Sequence, residues 1–169
     1  NNTSGLNISI RNMTVSTSGI VPGIKQLAEN RLPLGLAISL HAVNDSLRSR
    51  LVPVNKRYPV SELVAACRDY TANSGQRITF EYALFKDIND SNSDARDLVN
   101  FCHDLDCFVN LIAGNRGIDD SVWLPSTPAR IAHFAHILRS SGIDNALRQS
   151  LGADIDGGCG QLHSALRTE

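Results

Sequence analysis

The segment Gly158-Cys159-Gly160 follows two acids, Asp154 and Asp156, in a stretch without apolar periodicity. A core thiol has no packing reason to sit there. An accessible thiol on a Gly-rich loop suits a nucleophile or a carrier that must move. The two carboxylates work against thiolate formation. Ser16-Thr17-Ser18-Gly19 runs into an expected helix. Its hydroxyls and free N–H groups suit a carboxylate or phosphate, and equally suit plain N-capping, the commoner use. Ser39, Leu40 and His41 end an apolar run. A histidine there could serve a site or only tie down its loop.

Glu81 lies inside an otherwise apolar strand pattern, where an unpaired carboxylate is costly to bury. Either it faces a polar cavity or it pairs with a base such as Arg77 or Arg148, and the ion pair is the simpler expectation. Asn115 falls in a stretch, 113–125, rich in Gly, Asn and Asp and long enough for a lid or binding loop. His133 and His136 lack an acidic third ligand and read as a solvated helix face. Cys102 and Cys107 flank His103 and Asp106. They straddle a helix end and a strand start, so core packing is favoured over a metal. Cys67, in an apolar helical pattern, also reads as core.

The elements that must position these residues alternate. Strands are expected at 13–16, 34–40, 77–85, 107–112 and, weakly, 144–149. The nearly continuous apolar run at 34–40 predicts a strand buried on both faces. Helices are expected after Pro22, from Asn44 or Asp45 through Leu51, from Pro59 or Ser61 to about Gly75, from Ser93 or Asp94 to His103, and over 129–140. The remainder, from Ser150, is Gly-rich and irregular. This βα alternation predicts an α/β fold with a parallel sheet and right-handed crossovers. In such folds working residues gather at the C-terminal strand ends, where Ser16, Ser39, His41, Glu81 and 110–115 all fall.

The 169 residues suffice for one domain, and 42% hydrophobic with 20% charged residues suits a soluble globular chain. A net charge of −1 gives no basic excess that would advertise nucleic-acid binding, so any RNA contact must come from local patches. No apolar run would span a bilayer and no signal-peptide pattern is present. The four cysteines form no C-x-x-C pair, so reduced thiols in a cytoplasmic protein are expected. The chain opens on Asn1 rather than Met, which suggests that it begins within something larger.

Five blocks in order carry a family resemblance. Thr14 to Pro22 resembles the family segment TVSTSGIVP, Leu36 to Ala42 resembles LAISLHA, and Leu51 to Pro59 resembles LVPINKKYP. Arg77 to Tyr82, and Asp154 through Leu162, match as well. The sequence resembles RlmN, the radical S-adenosylmethionine (SAM) adenine-C2 methyltransferases of rRNA and tRNA, with Cfr as a C8-modifying relative. The family's NLIPFNP stretch stands here as Asn110-Leu111-Ile112-Ala113-Gly114-Asn115-Arg116.

The resemblance implies a partial (β/α)6 radical SAM (TIM-like) barrel, residues 1–169 forming the C-terminal part of its core domain. It implies 2-methyladenosine formation in 23S rRNA and tRNA, with a flavodoxin-type electron donor. Ser16, Ser39, Leu40, His41 and Asn115 match residues that bind S-adenosyl-L-methionine. Cys159 matches the cysteine that is methylated, passes its carbon to adenine, and is released by a disulfide with a second cysteine. The C-x-x-x-C-x-x-C ligands of the [4Fe–4S] cluster, the glycine–glutamate stretch and the resolving cysteine are absent from these residues. The chain alone is therefore expected to be inactive. Two alternatives stay open, a Cfr-like C8 enzyme and a non-catalytic half-barrel.

Overall fold

A computed structural model describes residues 8–115 and 123–148. Ten regular elements alternate: β1 (Thr14–Thr17), α1 (Val21–Asn30), β2 (Gly35–Ser39), α2 (Asp45–Leu51), α3 (Val60–Ser74), β3 (Ile78–Leu84), α4 (Asn92–Cys102), β4 (Cys107–Ala113), α5 (Pro128–Ser140) and β5 (Asn145–Arg148). A 3-10 turn, Pro53–Lys56, links α2 to α3.

Local chemistry sets the helix ends. The Asn44 side chain accepts from the Leu47 amide at the start of α2, and Thr127 does the same for Arg130 at the start of α5. α3 stops at Gly75, whose φ of 63° is the left-handed C-cap that glycine adopts without strain. α4 begins slightly earlier than the sequence suggests. Ser91 is its N-cap and Asp94 its third residue, each bonding the other's backbone amide in a capping box.

The strands pair in parallel in the order β1-β2-β3-β4-β5. Every crossover therefore advances in the same direction. Right-handed crossovers then place all the helices on one face. A doubly wound sheet reverses direction partway, whereas this one winds as a stretch of barrel wall. The expectation of a partial (β/α) barrel holds.

The helix-facing side is the core. Leu36 and Ile38 of β2, Ile78, Phe80, Tyr82 and Leu84 of β3, and Val109 and Leu111 of β4 are almost fully buried. They pack with Ile24, Leu63, Tyr70, Leu98, Phe134 and Leu138 from the helices. Edge and tilted ring contacts, Phe80–Phe101 at 5.3 Å and Tyr82–Phe134 at 5.5 Å, fix the α4 and α5 side. Each such side chain contributes roughly 1.5–3 kcal/mol on burial. The Tyr70 hydroxyl, buried with its ring, donates to the Leu34 carbonyl and ties α3 to the start of β2.

The opposite face departs from the expectation for β2. Its residues alternate between buried and half-buried, so only one face is covered. Gly35, Ala37 and Ser39 fall on the other side, which the helices leave open. Cys67, Cys102 and Cys107 are buried with free thiols, and burial pushes the Cys67 thiol up to about 12. Among the described residues no group of His, Cys, Asp and Glu could hold a metal ion, and His133 and His136 are exposed. No described helix is long and apolar enough to cross a membrane.

Candidate functional site

The strand register lays a polar row across the open face. Ser39 pairs with Glu81, Glu81 with Asn110, and Asn110 with Ala146. One layer lower Ser16 stands beside Ala37, and one layer higher Ile112 stands beside Arg148. Side chains alternate across a strand, so these positions share one face. Of these, Ser16, Ala37, Ser39, Glu81, Ile112 and Arg148 floor a cavity of about 550 Å³ at the C-terminal strand ends, lined also by His41, Arg50, Phe85, Asn115 and Trp123. That volume lies within the roughly 300–1,000 Å³ common for small-ligand sites.

His41 lies two residues beyond the end of β2 and replaces a missing strand partner. β2 pairing stops at Ser39–Glu81, which leaves the Ala83 amide of β3 open, and His41 Nδ1 accepts from it at 2.9 Å. The backbone at His41 is left-handed, with φ 57°. Its carbonyl accepts from Asn89 Nδ2 at 2.8 Å. Burial, with the nearby Arg48 guanidinium adding to it, lowers the His41 pKa to about 4. The ring is neutral at physiological pH, with Nδ1 as acceptor and the proton on Nε2.

Arg48 is fully buried on α2 and ties the strand ends together. Its Nε donates to the Leu40 carbonyl at 3.1 Å, and Nη2 donates to the Ser18 carbonyl at 2.9 Å and the Ser39 carbonyl at 3.1 Å. Nη1 donates to Asn55 Oδ1 at 2.9 Å, and Asn55 Nδ2 donates in turn to Asp45. The close approach explains Gly19. With φ at +106°, a Cβ there would lie 2.9 Å from Arg48 Nη2.

The upper wall is aromatic. Phe85 meets Trp123 edge-on at 5.4 Å, and the Arg50 guanidinium lies 5.9 Å from the Trp123 ring. The Phe85 ring runs so close to Gly114 that a Cβ there would sit 2.5 Å from it. The bridge between Phe85 and Pro125 brings the chain after 122 back against β3.

Ser16, Ser39, His41 and Asn115, picked out in the sequence from three separate stretches, thus line one cavity. Leu40 does not. Its side chain is in the core, and its carbonyl is taken by Arg48. Any part it has in binding would run through its backbone. The hydroxyls of Ser16-Thr17-Ser18 do not cap α1, whose N-cap Ile20 has no side-chain bond. Thr17 Oγ1 accepts instead from the Gly19 and Ile20 amides. Glu81 lies 4.0 Å from Arg148, one of the two bases foreseen for it, while the other, Arg77, pairs with Asp144 and Asp106. Cys159 lies outside the described residues.

No protein-family model matches the chain. It is 50% identical over 159 residues to the probable dual-specificity RNA methyltransferase RlmN of Pelotomaculum thermopropionicum, covering 94% of this chain and 43% of that protein. To the protein of the same name from Alkaliphilus oremlandii it is 46% identical over 162 residues, covering 96% and 47%. A crystal structure of a radical SAM methyltransferase from Sphaerobacter thermophilus superposes with a TM-score of 0.89 at 46% identity, over 95% of this chain and 47% of that one. Over the stretch it spans, the chain belongs to the RlmN family.

It spans a little under half the length of these RlmN relatives. A domain of pyruvate-formate lyase-activating enzyme from Bacteroides vulgatus, at 12% identity and a TM-score of 0.62, shares the fold alone. Against the RlmN resemblance, residue reasoning missed Arg48, Asn55 and Asn89. Each is polar and buried. Arg48 sits in a short helix beside Arg50, which is not so buried, and Asn89 in a turn-rich loop. Nothing in their local sequence separates them from solvated neighbours.

Proposed function

We propose that this chain is the SAM-holding part of an RlmN-type RNA methyltransferase that forms 2-methyladenosine in 23S rRNA and tRNA. One observation carries the reading: Ser16, Ser39, His41 and Asn115 come from three separate strand ends and meet at one cavity. The residues fit S-adenosylmethionine, with small side chains at Ala37 and Ala83, polar groups converging on the floor, and an aromatic wall. Bound there, S-adenosylmethionine supplies a methyl group and a source of a carbon-centred radical.

The chain's own residues bind and orient it. Ser16 and Ser39 offer hydroxyls, and His41 offers a neutral Nε2–H that its Nδ1 bond to Ala83 fixes in place. A neutral ring beside the cofactor adds no repulsion to its sulfonium. Arg48 holds the β1 and β2 ends in register without entering the cavity. The described residues do not fit an iron–sulfur cluster. Cys67, Cys102 and Cys107 are buried in the core, away from the cavity lining.

Cys159, in its Gly-rich segment, is the acceptor thiol in this reading. In the intact enzyme, Cys159→Ala is expected to abolish methylation, read by mass spectrometry of RNA digests. Methylated adenosine from that variant would remove Cys159 from the chemistry. The same digests separate methylation at C2 from C8, the Cfr-like outcome.

A further inference from the structure

Glu81 is the one described residue whose side chain keeps a buried polar atom without a hydrogen-bond partner. Its Oε1 accepts from Asn110 Nδ2 at 3.0 Å, while Oε2 is sealed from solvent and unbonded. The nearest base, Arg148 Nη1, is 4.0 Å away, beyond hydrogen-bond length, on a side chain 65% exposed. A buried acceptor left open costs roughly 1–3 kcal/mol, and folded proteins rarely keep one without a use. Here it sits in the middle of the polar row, with Ser39 on one side and Asn110 on the other, at the floor of the cavity.

We infer that Glu81 is a ligand-binding residue: its side chain is 18% exposed, and a small turn of the carboxylate toward the cavity lets Oε2 accept a hydrogen bond from a ribose hydroxyl of a nucleoside there. The inference rests on the proposed function, which places such a nucleoside there. Charge selects the donor. Arg148 already faces the Glu81 carboxylate, so a second cation on the same oxygen would meet repulsion. A neutral hydroxyl meets none. Geometry agrees, because neighbouring strands lie about 4.8 Å apart. A hydroxyl from Ser39 and a carboxylate from Glu81 at that spacing can engage the two adjacent oxygens of a ribose. A carboxylate on the ribose hydroxyls is also how dinucleotide folds read that sugar.

The hydroxyl has two sources, the ribose of the bound S-adenosyl compound or the ribose of the RNA, and the test separates them. Binding of S-adenosylhomocysteine and of its 2′-deoxy and 3′-deoxy counterparts is measured by calorimetry on the intact protein and on Glu81→Gln and Glu81→Asp. The same comparison is made with short RNAs carrying ribose or deoxyribose at the target adenosine. Wild-type protein is expected to prefer one ribo form by roughly tenfold or more. In both variants that preference should fall to about twofold or less. Loss of preference in the S-adenosyl series assigns the bond to that ribose, and loss in the RNA series assigns it to the RNA. A preference unchanged by both variants in both series overturns the inference while leaving the functional reading intact. So does an equal loss for ribo and deoxy forms, which would mark an ammonium partner. Failure of wild-type protein to bind any S-adenosyl compound overturns the functional reading, and the inference falls with it.

Discussion

Protonating His41 would both add a buried charge and destroy the acceptor that holds the Ala83 amide. The folded-state pKa of about 4 lies below the ordinary 6.5. Above pH 6.5 the ring is neutral in both states and contributes no pH dependence. As pH falls from 6.5 toward 4 the unfolded chain takes up the proton first, so stability declines across that window. The full loss is at most roughly 3 kcal/mol. Urea unfolding at pH 7 and pH 5 is expected to show this decline in wild-type protein and a shallower one in His41→Asn. Equal declines in the two proteins would remove His41 as the source. The same residue shows the limit of local reading: its type was visible at the end of an apolar run, but its tautomer depends on Ala83, a residue 42 positions away.

Strands this short hold their ends through bonds from outside the sheet. β1 has four residues, and beyond it the Ser18 carbonyl is taken by Arg48, as are those of Ser39 at the end of β2 and Leu40 just after it. The planar guanidinium fork can serve these acceptors at once, which a lysine ammonium on a flexible stem does not reproduce. Arg48→Met strands three carbonyls and Asn55, with an expected loss of about 3 kcal/mol or more. Arg48→Lys should recover little of it. Chemical denaturation of both variants checks this, and a lysine variant as stable as wild type would refute the fork argument. The caps of α2 and α3 were legible in sequence because a cap is a contact within a few residues. The clamp was not, because its acceptors lie 8, 9 and 30 positions away and only the folded sheet brings them together.

At the scale of the molecule, the sheet is a wall with two outer edges. Among the described residues no strand pairs with the outer side of β1 or of β5. Met13, Val15, Ile20 and Leu32 are exposed near the first edge, and Leu147 is 51% exposed on the second. Unpaired edges with apolar side chains recruit other strands. The 169-residue chain by itself is expected to associate as its concentration rises, seen by sedimentation velocity, and Val15→Lys should weaken that association. A monomer at all concentrations would show that the edges are covered by the chain itself.

The sequence by itself determined the alternation of strands and helices, the parallel α/β sheet that this implies, and the residues that mark the RlmN resemblance. Those signals are periodicity, capping and short motifs, each written within about twenty residues. Only the tertiary structure decided which face of β2 is open, that Glu81 keeps one oxygen unbonded, and that Arg48 rather than the serine-rich loop hydroxyls secures the strand ends. These depend on the register of strands far apart in the chain, and no local pattern encodes which carbonyl a buried guanidinium will find.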